Sequence, residues 1–191
     1  QIQGLLLHGR VHLATALKTA DGTSWLATHA GVTRRELELL ALPHPTISNI
    51  AIALNQYLTH GVNGVAESWQ AGRNAALDLS PLHVSGGGGY EGGGLLYHRP
   101  STSPEEQPSH VPVRRRFCPT ELAMGLRQVC GHTQHSKMTK LLPGIADQTV
   151  VADGGLRTLM VTEEGIEYRA GIHRGEDDNA VLCMIDASLN G

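Results

Sequence analysis

Two histidines stand where side chains can meet over a ligand. His132 follows Gln128-Val129-Cys130-Gly131, an apolar-leaning run that breaks off at a glycine, and Thr133, Gln134 and His135 come directly after it. Far earlier in the chain, His29 closes the run Ser24-Trp25-Leu26-Ala27-Thr28 and is followed by Ala30 and Gly31. Short runs bounded in this way read as interior strands. Ligands of α/β proteins gather at the carboxyl ends of such strands. Two neutral imidazoles presented there suit one shared ion, with Mn, Fe and Zn the natural choices for nitrogen donors. Bonds of ~2.1 Å to a common ion require the two ring nitrogens to lie roughly 3–4.5 Å apart.

Other chemistry is less well served. His8 and His12 stand one helical turn apart but lack a second pair and a carboxylate, so a structural role is expected. Ser85, in Leu82-His83-Val84-Ser85-Gly86, has no nucleophile elbow around it. Cys130 beside His132 lacks a group to orient the base. The glycine-rich run from Ser85 to Gly94 could cradle an anion, but it lacks the Lys and Ser/Thr of a phosphate loop and reads as a surface loop.

The elements that must position these residues follow from periodicity and punctuation. A helix is expected over 8–20, with Leu13, Ala16 and Leu17 on one face and Gly22 closing it. Thr33-Arg34-Arg35-Glu36 carries the signature of a capping box, placing a short helix directly behind His29. Another helix is expected from Ser48 or Asn49 through Leu58, ended by Gly61, and a further one from Gly64 to Leu77. Leu95 to Pro100 reads as an apolar strand, 101–112 as an exposed linker, and Pro119 to Leu126 as a short helix. Thr149 to Ala152 reads as a strand. Leu159–Val161 and Ile166–Tyr168 form a hairpin, and Ala180 to Ile185 completes an antiparallel meander. Helices first and strands last suit one layered α/β domain.

THAGV at 28–32 together with VCGHTQH at 129–135 resembles the two C-terminal metal-binding motifs of the calcineurin-like metallophosphoesterases. The closer likeness is to bacterial and phage serine/threonine phosphatases and symmetrical diadenosine tetraphosphatases. The resemblance implies an α/β fold, the C-terminal part of a β-sandwich flanked by helices, with residues 1–191 forming that portion of a single domain. It implies two divalent ions in the complete enzyme, His29 and His132 binding one of them beside an Asn and a bridging Asp. Arg99 falls where the phage and bacterial enzymes carry the arginine that holds substrate phosphate, and a guanidinium suits a bidentate grip on phosphate oxygens. The substrate class implied is a phosphoester. Thr133 is expected behind the ligands. His135 lies three residues after His132, where some members have a histidine two after, and is expected to be a bystander.

The family's N-terminal motifs, Asp-x-His, Gly-Asp-x-x-Asp and Gly-Asn-His-Glu/Asp, do not occur in the chain. The expectation is therefore that this chain gives one part of the site and that the N-terminal half comes in cis or as a second chain. The alternative is a non-catalytic binding domain descended from such an enzyme.

Composition adds bounds. With 40% hydrophobic and 17% charged residues over 191 positions, the chain can bury a sizeable core. A formal net charge of −3 gives no general attraction to nucleic acid or to an anionic membrane. The cluster Arg114-Arg115-Arg116 reads as a solvated face. No apolar run approaches the roughly 20 residues of a membrane span. Three widely spaced cysteines, Cys118, Cys130 and Cys183, read as reduced thiols of a cytoplasmic protein, the last two buried in strands.

Overall fold

A computed structural model describes residues 1–42, 45–87, 92–103, 113–152 and 154–186. In chain order it has α1 (Ile2–Leu7), β1 (Ala14–Lys18), β2 (Ser24–Thr28), α2 (Arg34–Leu39), α3 (Ile47–Gln70), β3 (His83–Val84), β4 (Gly93–Gly94), β5 (Arg99–Pro100) and β6 (Arg116–Phe117). A 3-10 turn at Pro119–Glu121 leads to β7 (Arg127–Cys130), α4 (His135–Leu141), β8 (Arg157–Val161), β9 (Ile166–Ala170) and β10 (Ala180–Met184). The protein is mixed α/β, with few helices around one six-stranded sheet of order β1-β2-β7-β10-β8-β9. Within it β2, β7 and β10 run parallel, while β1, β8 and β9 are joined antiparallel at the two sides.

The period of two along the central strands sorts their side chains. Leu26, Gln128, Cys130, Leu182, Met184 and Leu159 share one face through register, and they are buried under the helical side. Trp25, Val129, Val181, Cys183 and Met160 make up the other. α3 lies on the first face with Ile50, Leu54, Leu58, Val62 and Trp69 buried, a stripe at helical spacing. Each fully buried side chain of this size contributes about 1.5–3 kcal/mol before entropy is set against it.

Three expectations are corrected. Residues 14–18 form β1 rather than part of a helix over 8–20. The Asp21-Gly22 turn folds β1 back onto β2, Leu17 opposite Trp25, and the Asn55 side chain of α3 binds Leu13 N–H and both backbone groups of Ala14. α3 runs unbroken for 24 residues through Gly61 and Gly64, where two helices were expected. A Cβ on Gly61 would stand 3.0 Å from the carbonyl of Asp78, so this glycine admits the crossing of residues 77–79 instead of ending the helix. The last strands are not a meander, because β10 pairs with β8 and in parallel with β7.

Smaller differences follow. Leu95 to His98 turn rather than extend, leaving only Arg99–Pro100 as strand. The helix expected over 119–126 is the 3-10 turn alone, and Thr149 to Ala152 is not strand, with Val150 fully exposed. Much of the glycine-rich run and of the expected linker, residues 88–91 and 104–112, lies outside the described residues. No helix among the described residues is long and apolar enough to cross a membrane.

Candidate metal centre

β2 and β7 lie side by side and run the same way, with Thr28 opposite Cys130. One more bond extends the ladder past both strands, Gly131 N–H donating to the His29 carbonyl at 3.1 Å. The two histidines therefore emerge at one rim of the sheet. His29 Nε2 and His132 Nδ1 are 3.0 Å apart, and the ring planes tilt by 56°. The convergence expected from the two runs is present. β10, the third parallel strand, brings Asp186 to the same rim two residues after its end, and the sequence reading did not consider it.

The turn that carries His29 is held at several of its backbone polar groups. Gly31 N–H donates to Thr28 Oγ1 at 3.0 Å, and Gly31 C=O lies 2.9 Å from Nε2 of the buried His98. Val32 N–H donates to Gln128 Oε1 at 2.7 Å, and Gln128 Nε2 donates back to Val32 C=O at 2.8 Å. Thr33 N–H donates to the buried Glu36 carboxylate at 2.9 Å, completing the expected capping box at the start of α2. Gly31 has φ +92°, a conformation that lets the chain double back over β7.

His132 is held differently. Its own φ is +70°, uncommon for a residue with a Cβ and found where a site fixes the side chain. Its Nε2 lies 3.0 Å from the Tyr97 carbonyl, and the Tyr97 ring meets its edge at 5.6 Å. Behind it, the fully buried Arg157 donates to Thr133 C=O and to Gly155 C=O, each at 2.7 Å. Burial first, then the Arg99 charge and His29, press the His132 pKa down to about 4. The ring is thus neutral near pH 7. A carbonyl can only accept, so His132 Nε2 bears the hydrogen, Nδ1 presents a lone pair, and His29 Nε2–H donates to it.

These atoms fit a metal as two adjacent ligands. Bonds of ~2.1 Å at a right angle span ~3.0 Å, matching the approach of the two nitrogens. A backbone carbonyl behind Nε2 is the usual support that orients a ligating imidazole. His29 can release Nε2 by moving its proton to Nδ1. Among the described residues, no group of three or more His, Cys, Asp or Glu side chains is placed to hold an ion.

Arg99 opens onto a cavity of about 350 Å³ lined by Tyr97, Arg99, Arg115, Arg116, Lys137, Lys140 and Leu141. Parallel pairing of β5 with β6 sets Arg99 opposite Arg116, and Lys137 and Lys140 share a face of α4 one turn apart. The arginine cluster is therefore not a plain solvated face. Arg114 is exposed and stands 3.6 Å from Glu121, whereas the half-buried Arg115 and Arg116 line the cavity. Sequence reasoning missed Tyr97, the two lysines, and the supports His98, Gln128 and Arg157. A polar residue inside an apolar run was the one available signal for Gln128.

The remaining groups fall elsewhere. His135 stacks on Tyr168, its Nδ1 3.0 Å from the phenolic oxygen. His8 caps α1 and binds the Gly4 carbonyl, while His12 lies on the connection to β1, so the two do not share a helix. Cys130 is buried and its thiol is pushed up to about 12 by that burial, which keeps it protonated and a poor nucleophile. Comparison of the chain with protein-family models, with curated proteins and with solved structures finds no match.

Proposed function

We propose that this chain forms part of a metal-dependent phosphoesterase, in which His29 and His132 hold one divalent ion and Arg99 grips the substrate phosphate. The observation that carries this reading is the 3.0 Å approach of His29 Nε2 and His132 Nδ1 at a strand-end rim. The cation-lined cavity around Arg99, joined to the pair through Tyr97, supports the choice of an anionic substrate. When bound, a pair of ions such as Mn, Fe or Zn supplies a hydroxide nucleophile and Lewis-acid stabilisation of the phosphoryl oxygens. The residues of this chain orient and bind: Tyr97 C=O fixes the His132 tautomer, Arg157 and Gln128 hold the two turns, and Arg99 offers a planar fork.

The missing carboxylate ligands would come from polypeptide beyond these residues, in cis or as a second chain. The six-stranded sheet would then be one layer of a β-sandwich, and the setting a reducing cytoplasm. The test is an assay of the chain with p-nitrophenyl phosphate and manganese, alone and joined to such a half. Turnover is expected only in the complete enzyme, with Arg99→Ala lowering it by about one to three decades and lysine restoring part of it. Robust metal-dependent turnover by the homogeneous isolated chain, or wild-type kinetics for Arg99→Ala, would overturn the assignment.

A further inference from the structure

We infer that Gln128 is a positioning residue that sets the meeting of the two imidazoles. Its place in the sheet makes an amide an odd choice. Gln128 is fully buried, and its register partners on either side are Leu26 on β2 and Leu182 on β10, both completely enclosed. Burying an amide costs free energy unless its hydrogen bonds are remade. A leucine would fill the position without that cost if packing were the only requirement. Gln128 instead directs both ends of its amide at a single residue, accepting from Val32 N–H and donating to Val32 C=O. It acts as one rung made by a side chain, reaching from within β7 to Val32, four residues past the end of β2.

The consequence is a closed circuit. From Gln128 the clamp reaches Val32; three residues back along the chain is His29; across the 3.0 Å contact is His132; and four residues back along β7 is Gln128 again. Both imidazoles are thereby referred to one strand. The Gly131-to-His29 bond braces the circuit across its middle. His98 also holds the turn, through Gly31 C=O, and its neighbour Tyr97 offers the carbonyl at His132 Nε2, so the 97–98 segment braces both sides from outside the circuit without joining the turn to β7. The significance of Gln128 for a metal rests on the function proposed above, while its role in holding the two rings together does not.

The test uses the full metal-free chain and reads the ring nitrogens of His29 and His132 by NMR, followed by a calorimetric titration with zinc. Gln128→Met keeps length and bulk and removes both bonds. It is expected to abolish the hydrogen-bonded Nε2–H signal of His29, which donates to His132 Nδ1, and to weaken zinc at least about tenfold, as loss of supports behind a ligand does. Leu54→Ala, cut from the buried face of α3, is the control: it should lower the melting temperature and leave both readouts in place. If the methionine chain does not fold, Gln128→Asn, with the same amide one methylene short, is read in the same way. A wild-type ring spectrum in the Gln128 variant would overturn the inference, as would equal loss of that spectrum in Leu54→Ala. Zinc binding that is equally weak in the wild-type chain and in Gln128→Met, with the ring spectra behaving as expected, would count against the metal reading alone.

Discussion

His29 reaches the pair on a turn whose unusual backbone angle is taken by Gly31, whereas His132 bears a positive φ itself. The first turn is secured by side chains that bind its peptide groups, from His98, Gln128 and Glu36. The second is secured by a carbonyl on its ring and by one buried guanidinium on the residue after it. Gly31, two residues past His29, takes the positive φ, so the backbone there bends without affecting the imidazole. At His132 the bend and the imidazole are needed at the same residue, so local strain is accepted there and met by support from outside.

The largest expected effect comes from removing that outside support. Arg157→Ala takes away a wholly buried side chain and leaves Thr133 and Gly155 carbonyls without their donor. About 3–5 kcal/mol of stability should be lost, from the cavity and the orphaned acceptors together. The matching cut on the other turn, His98→Ala, should cost less, because that turn keeps its remaining anchors. Urea unfolding of the two variants orders them, and a greater loss for His98→Ala would reverse the contrast.

A paired substitution sharpens it. At His132, glycine should be more stable than alanine by about 1 kcal/mol, since only glycine is at ease with positive φ. At His29, which does not have a positive φ, glycine should be less stable than alanine by about 0.5–1 kcal/mol. Melting temperatures of the four chains give the answer, and the same sign at both positions would mean that the two turns are alike.

The last effect is electrostatic. The folded-state pKa of His132 is held at about 4, below its ordinary value of 6.5. Between those values the unfolded chain binds more protons than the folded one, so this contribution is complete above the unfolded pKa and declines as pH falls toward the folded one. Urea midpoints at about pH 7.5 and about pH 5 should show the decline, and His132→Gly should lack that part of it. Identical pH slopes for wild type and His132→Gly would remove His132 from the account.

The strand ends were legible because a glycine lies close to each histidine, Gly31 after His29 and Gly131 before His132, and the capping box behind His29 because it is a local code. β1 was not legible as a strand: its apolar residues also fit a helical stripe, and what decides between them is Asn55, more than 35 residues away, together with the Asp21-Gly22 turn. Gly61 looked like a stop because the segment that crosses it is invisible to periodicity. The cations around Arg99 depend on a parallel β5–β6 pairing across the expected linker. Neighbouring arginines looked uniform in sequence although Arg114 is exposed while Arg115 and Arg116 line the cavity. Gln128 and His98 owe their importance to which peptide each touches, and no local rule reports that.

The two rings stand 103 positions apart in the chain yet in direct contact. Closing a loop of that length costs conformational entropy that grows only slowly with length, but none of it is recovered until β2 and β7 have paired. The β8–β9 hairpin needs no such closure. Any ligand that bridges both imidazoles therefore recognises only the closed chain, and its apparent affinity carries the folding equilibrium of the whole domain within it.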